Sequence, residues 1–104
     1  MSQRDLLSLD ELSGELEQLN SNSAEPWTVE NQKLRRKFVF RDFVEAFGFM
    51  TMAAVEAEKL DHHPEWSNVY RTVSVALTTH SSGGITSLDF ALARKMESLA
   101  GHLG

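Results

Sequence analysis

The segment from Phe43 to Leu60 constrains the fold more than any other part of this 104-residue chain. Asp42 can cap the start of a helix there, and Pro64 predicts its end, because the residue before a proline avoids helical backbone angles. One apolar stripe at helical spacing comprises Phe43, Phe47, Met50, Ala54 and Ala57. Further apolar side chains around the helix are Val44, Phe49, Met52 and Val55. Since a helix on one sheet needs only one stripe, we expect an oligomer in which the remaining surface is buried against another subunit or the sheet edges pair.

Polar breaks divide the sequence before this helix into a helix and two strands. Ser8-x-x-Glu11 has the form of a capping box, and leucines follow it at helical spacing until the polar stretch 20–26. Short strands are predicted at 27–29 and 34–40, with a turn at residues 31–32 between them.

The sequence after the central helix predicts two more strands and a last helix. Residues 67–80 alternate as a strand does but are too long for one, so we predict a hairpin turning near Arg71-Thr72. Thr86-x-x-Asp89 opens the last helix, with a stripe of Leu88, Leu92, Met96 and Leu99. The predicted order is α-β-β-α-β-β-α, a single α+β domain over residues 1–104 with helices packed on a sheet.

Composition excludes several classes of function. A net charge of -5 argues against a nucleic-acid groove, which needs clustered cations. The one basic cluster, at 33–37, is interpreted as a solvated strand edge. The sequence has no cysteine, so thiolate chemistry is excluded, and a reducing compartment such as the cytoplasm is compatible. Neither a signal peptide nor an apolar stretch able to span a bilayer is expected.

Three histidines lie at predicted element ends, where catalytic groups often collect. His62 and His63 stand where the central helix must stop, and His80 ends a strand before the loop with Gly83 and Gly84. A lone histidine is most often a half-buried ring, but this grouping favours acid–base chemistry, because imidazole titrates near neutral pH. His102, in the C-terminal tail, is expected to have no role.

Several neighbours of the histidines have two interpretations. Glu58 lies one helical turn before His62 and is expected to orient it. Trp66 is either a flat wall for a planar ligand or a core residue. Asp61 and Asp89 are weaker candidates, since each can simply cap or solvate a helix end. A zinc site is the less favoured alternative, because adjacent histidines ligate one metal awkwardly and no H-x-H or H-x-x-x-H pair exists.

At these residues the chain resembles the pterin-4a-carbinolamine dehydratases, which are also known as dimerisation cofactors of a homeodomain transcription factor. The motif is Glu58-Lys-x-x-His62-His63-Pro-x-Trp66, followed by Thr79-His80 and by Gly84-x-x-x-x-Asp89. The resemblance covers about Trp27 to Met96, and the first helix fits by position only.

The resemblance implies a four-stranded antiparallel sheet with helices on one face. It implies dehydration of 4a-hydroxytetrahydrobiopterin to quinonoid dihydrobiopterin, in recycling of the pterin after aromatic amino-acid hydroxylation. Catalysis would fall to His62, His63 and His80, and the residues that line or support the pterin site would be Glu58, Asp61, Trp66, Thr79 and Asp89. No metal or redox cofactor is implied, and a homodimer or homotetramer is expected.

Two alternatives stay open at this point. The chain could be a binding module that stabilises a dimeric transcription factor, without direct contact to nucleic acid, or a dehydratase of another pterin. Within the favoured function, we expect His62 or His80 to matter most, with His62 as the acid beside Glu58 and His80 acting on the ring N–H. Single alanine substitutions of these histidines are expected to leave the fold intact.

Overall fold

The structure, a computed structural model, describes residues 2–103 and has the predicted order of elements. Helix α1 spans Leu9–Ser21, α2 Phe43–Leu60 and α3 Ser87–Leu103; the strands are β1 Thr28–Glu30, β2 Lys33–Val39, β3 Glu65–Val69 and β4 Thr72–Leu77. One turn of 3₁₀ helix, His80–Ser82, follows β4. The capping box of α1 and the cap of α2 by Asp42 are both present. Within the described part of the chain, no helix is long and apolar enough to cross a membrane.

The four strands form one antiparallel sheet in the order β1-β2-β4-β3, with the hydrophobic core on one side of it. Alternation along β2 and β4 turns one set of side chains to the core, namely Leu34, Phe38, Val73, Val75 and Leu77. Helices α2 and α3 pack on this side, where the Phe49 ring lies 4.8 Å from that of Phe38. The implied α+β architecture is therefore confirmed.

The basic cluster lies on an interior strand, so its interpretation as a sheet edge is wrong. Strand β2 pairs with β1 on one side and β4 on the other. Arg36 faces the core side, where its Nη1 lies 2.6 Å from Glu97 Oε2, which also accepts a bond from Trp27 Nε1. Burial lowers the pKa of Arg36, although Glu97 opposes the shift. Within the cluster, Lys33 and Arg36 thus have carboxylate partners, and Lys37 is exposed to solvent as expected.

Of the apolar stripe expected on helix α2, Ala57 is the one residue that is fully buried in the core. The buried apolar residues are Ala46, Phe49, Ala53 and Ala57, whereas Phe43 and Phe47 are 48% and 55% exposed. The buried stripe combines three small alanines with Phe49, whose ring packs 4.8 Å from that of Phe38 and 4.9 Å from that of Phe40. The helix has two stripes of similar apolarity, and periodicity alone does not indicate which of them faces the core.

Tight turns connect both pairs of strands that are adjacent in sequence. Asn31 and Gln32 both have positive φ, 52° and 63°, which suits a two-residue hairpin turn with the right twist. The second hairpin turns at Tyr70-Arg71, one residue before the predicted position. Tyr70 has a φ of 53°, and the Asn68 side chain stabilises the turn by donating to the carbonyls of Tyr70 and Thr72.

Candidate active site

The end of α2 determines where the two adjacent histidines point. Asp61 adopts a left-handed conformation, φ 50° and ψ 46°, and its N–H bonds to carbonyls of the last helical turn. The N–H of His62 returns to the carbonyl of Ala57 at 3.0 Å, which is the pattern of a Schellman cap. Pro64 then keeps the chain extended. The reversal at Asp61 turns His62 inward and leaves His63 at the surface.

His62 is tied to a buried carboxylate at the start of α3. Its Nε2 lies 2.5 Å from Oδ1 of Asp89, and the two side chains are 6% and 0% exposed. The other oxygen of Asp89 accepts bonds from Thr79 Oγ1 at 2.9 Å and from the backbone N–H of Thr86 at 2.8 Å. A carboxylate in the first turn of a helix is also favoured by the helix dipole. Asp89 thus joins the α2 loop, the end of β4 and the start of α3.

His63 and His80 each have a carboxylate partner of their own. Nε2 of His63 lies 2.5 Å from Glu58 Oε1, and Nε2 of His80 lies 2.6 Å from Glu65 Oε2. Both imidazoles are well exposed, His63 by 58% and His80 by 78%. The expected pairing of Glu58 with His62 is wrong, because the left-handed residue at 61 rotates His62 away from the last turn of α2.

A cleft of about 260 Å³ brings the three histidines together. It is lined by Arg4, Asp61, His62, His63, Thr78, Thr79, His80 and Ser81. Five of the eight predicted site residues therefore line one cleft. A larger cavity of about 520 Å³ lies between β2 and the end of α3 and has no histidine in its lining. The smaller cleft holds the groups that can exchange protons, so it is the candidate active site.

The other three predicted site residues lie outside the cleft lining. Asp89 and Glu58 do not line the cleft themselves but are hydrogen-bonded to His62 and His63, which do. Trp66 pairs with Val75 on the core side of the sheet and packs against the hydrophobic core. The structure thus favours the core interpretation of Trp66. His102 lies in the last turn of α3 and does not line the cleft.

Four residues of the site were missed by sequence reasoning: Arg4, Thr78 and Ser81 in the cleft lining, and Glu65 as the partner of His80. Arg4 contacts Asp61, which lies 57 residues later in the sequence, and no local pattern indicates that contact. Glu65 stands at an unspecified position of the motif, and no role was assigned to it. Its position at the start of β3, registered opposite Ala76, brings it within reach of His80. Strand pairing of this kind is visible only once the register is known.

The Lys33–Glu65–His80 group predicts a measurable pH effect. Lys33 Nζ lies 2.6 Å from Glu65 Oε1, and this bond, followed by the bond from His80, lowers the pKa of the Glu65 carboxyl below its ordinary value of 4.5. The pairing therefore stabilises the fold above that pH, and its contribution is lost as pH falls through the lowered pKa. In Lys33→Met we expect the titration midpoint of Glu65, followed by carboxyl carbon NMR, to rise. Lys37→Met, on the same strand, should leave it unchanged; an equal rise in both variants would contradict the assignment.

Comparison with known proteins identifies the family. The family model described as pterin 4 alpha carbinolamine dehydratase matches residues 5–99. The chain belongs to this family. A protein of Mesorhizobium japonicum named putative pterin-4-alpha-carbinolamine dehydratase is 52% identical over 93 residues, covering 89% of this chain and 92% of that protein. One of the same name from Chelativorans sp. is 69% identical over 67 residues, 64% of this chain and 68% of its own length.

A solved structure agrees with the family assignment. It is named a transcriptional coactivator/pterin dehydratase from Brucella Melitensis. It is 45% identical to this chain, matches with a TM-score of 0.85, and the match covers 93% of this chain and all of that one. Membership of the pterin 4 alpha carbinolamine dehydratase family confirms the resemblance and the predicted enzyme class, a dehydratase.

Proposed function

We propose that the protein dehydrates 4a-hydroxytetrahydrobiopterin to quinonoid dihydrobiopterin, as a cytoplasmic enzyme of tetrahydrobiopterin recycling. One observation carries the proposal: three histidines from two separate loops converge on one cleft, and each is bonded to its own carboxylate. This arrangement supplies several groups able to give or take a proton within the reach of one small, flat ligand.

The reaction needs two proton transfers and little else. The bond between C4a and its hydroxyl oxygen breaks, and that oxygen receives a proton and leaves as water. The adjacent ring N–H loses its proton, and the nitrogen electron pair forms the new C=N bond. Because the nitrogen itself pushes the hydroxyl out, the step needs only positioned acids and bases, which contribute roughly 10²–10⁴-fold.

The contacts of the histidines suggest how these roles divide. Asp89 accepts from Thr79 and Thr86 and can accept the Nε2 proton of His62 as well. That tautomer leaves Nδ1 of a neutral His62 as a proton acceptor, so we assign His62 the base role. This reverses the role that the sequence suggested for it. His63 and His80 are the exposed imidazoles, and we assign proton donation to them.

The test of the proposed function is turnover of a synthetic 4a-hydroxytetrahydropterin, followed by its ultraviolet absorbance. We expect dehydration well above the uncatalysed rate, and the same rate after treatment with a chelator. Turnover equal to the uncatalysed rate would contradict the proposal. Loss of activity on chelation, restored by a divalent metal, would contradict histidine acid–base catalysis without a metal. Comparing the biopterin substrate with a 6-methyl analogue tests whether the pterin side chain is recognised.

We further propose that the protein is a homodimer or homotetramer assembled through α2. Its exposed apolar face consists of Phe43, Val44, Phe47, Met52 and Val55. A continuous apolar face on a small domain favours association, because water is excluded when two such faces meet. In Phe47→Glu we expect the sedimentation coefficient at micromolar concentration to fall to that of a monomer. Leu9→Glu changes a still more exposed apolar residue on α1, 82% against 55% for Phe47, and should stay assembled. A monomeric wild type would contradict the proposal.

The same face is compatible with a second candidate function, binding of a protein partner such as a transcription factor. Exposed phenylalanines on a helix are the feature that favours it. The two functions separate experimentally, because the α2 face and the histidine cleft use different residues. A binding module would lose partner capture in Phe47→Glu and keep it in variants of the histidines.

A further inference from the structure

Residues 2–7, here called the N-terminal segment, lie across the loop that follows β4. The N–H of Leu7 donates to the carbonyl of Ile85 at 3.2 Å, and Leu6 forms an isolated antiparallel bridge with Thr86. The Ser82 hydroxyl donates to the carbonyl of Arg4. These contacts fasten the N-terminal segment to the loop that carries His80 at its start.

The side chain of Arg4 reaches the other histidine-bearing loop. Its Nη2 donates to the backbone carbonyl of Asp61 at 3.0 Å and lies 3.8 Å from the Asp61 carboxylate. The carboxylate is well exposed, so that ion pair contributes little. The carbonyl bond matters more, because it is charge-assisted and fixes a backbone group. Arg4 also lines the histidine cleft.

The carbonyl that Arg4 holds belongs to the peptide between Asp61 and His62. The N–H of the same peptide is held by the Ala57 carbonyl. A peptide is planar, so fixing both its oxygen and its nitrogen fixes the direction in which the chain enters His62 and His63. The backbone at Asp61 is left-handed, a conformation that a non-glycine residue adopts at some cost. An external donor on its carbonyl stabilises that conformation.

We propose that Arg4 is a positioning residue, which fixes the His62–His63 pair relative to His80 by clasping the two loops together. The proposal rests on the proposed dehydratase function for its kinetic test. It does not follow from the family assignment, because Arg4 lies before residues 5–99 that match the family model. Arginine suits the task, since its guanidinium is always charged and presents donors in a rigid plane.

The kinetic test compares Arg4→Ala, Arg4→Lys and the control Arg94→Ala. Arg94 is as exposed as Arg4, 42% against 43%, and makes one ion pair with Glu15, away from the cleft. We expect Arg4→Ala to lower kcat by about tenfold, the lower end of what one lost charged hydrogen bond costs, with KM and Tm close to those of Arg94→Ala. Arg4→Lys, which retains one charged donor, should recover most of kcat. An unchanged kcat, or a rise in KM alone, would overturn the proposal.

A second comparison tests the clasp itself. Ser82→Ala removes the bond that joins Arg4 itself to the loop after β4, so its effect on kcat should not add to that of Arg4→Ala in the double variant. Additive effects would mean that the two residues act separately. A readout independent of activity is the imidazole NMR spectrum at constant pH. Arg4→Ala should shift the signals of His62 and His63 but not that of His102. Unshifted His62 and His63 signals would overturn the proposal; an inactive wild type alone would overturn only the proposed function.

Discussion

Replacing His63 and His80 together with alanine is expected to lower kcat/KM by about 10²–10⁴-fold and to leave the melting temperature nearly unchanged. Both imidazoles are exposed, and their partners Glu58 and Glu65 reach solvent, so no buried charge is left unpaired. His62 would still accept a proton. The departing hydroxyl oxygen would, however, lose both of the exposed imidazoles that can protonate it.

Single substitutions and a fourth histidine provide the controls. His63→Ala and His80→Ala should each cost less than half of the double effect on a logarithmic scale, because one imidazole partly replaces the other. His102→Ala removes an exposed histidine from the end of α3 and should keep wild-type kcat/KM. A folded double variant with near wild-type turnover would show that the exposed histidines are not the proton donors.

Local signals in the sequence were enough to predict the order of elements and the bounds of α2. The strand ends differ from the predicted ones by one to three residues, and His80, which was expected to end a strand, begins the 3₁₀ turn after β4. Helix α2 begins after Asp42 and ends before Pro64 at the predicted residues, because capping and proline act over a few residues. The orientation of α2 was not predictable in the same way. Phe47 and Phe49 lie on different stripes of one apolar helix. Only the packing of the helix against the sheet and α3 decides which of the two is buried.

In the candidate site, too, the features that depend on nearby residues were predictable and those that depend on distant contacts were not. The grouping of His62, His63 and His80 followed from a motif and from element ends. The partners of these histidines did not, since helical spacing placed Glu58 beside His62 and the left-handed Asp61 reversed the arrangement. The contact of Arg4 with the Asp61 carbonyl spans 57 residues, so only the folded chain reveals it.

The structure also changes what is expected of the histidines as parts of the fold. The sequence suggested that each of them lines a cleft and is dispensable for stability. His62 is instead buried, and it shares Asp89 with the buried Thr79 hydroxyl and the Thr86 N–H. His62→Ala would therefore leave a buried carboxylate with fewer partners. We expect this substitution to destabilise the protein as well as to lower its kcat. Stability and catalysis are coupled at this one pair.

Asp89 is the residue whose loss is expected to destabilise the protein most. In Asp89→Ala the buried donors of His62 and the Thr86 backbone lose their acceptor, and the Thr79 hydroxyl keeps only its contact with the Thr86 hydroxyl. A buried donor left without a partner costs about 1–3 kcal/mol, so the His62 and Thr86 donors together cost roughly 2–6 kcal/mol, a large fraction of the 5–15 kcal/mol that holds a typical domain. Urea unfolding should show this loss as a lower midpoint. Asp42→Ala is the matched control, because it removes another helix-capping aspartate and should cost only about 1 kcal/mol.

Asp89→Asn separates the catalytic part of this role from the structural part. The amide keeps the size of the carboxylate and one acceptor oxygen, so it should destabilise the protein less than alanine does. Its NH₂ group can donate to the ring nitrogen that Asp89 now faces, which would favour the tautomer of His62 with the proton on Nδ1. A base in that tautomer has no lone pair to offer the cleft, so kcat should fall by at least about 10²-fold while the variant stays folded. Wild-type kcat in folded Asp89→Asn would contradict the base role of His62, and equal unfolding midpoints for Asp89→Ala and Asp42→Ala would contradict the structural role of Asp89.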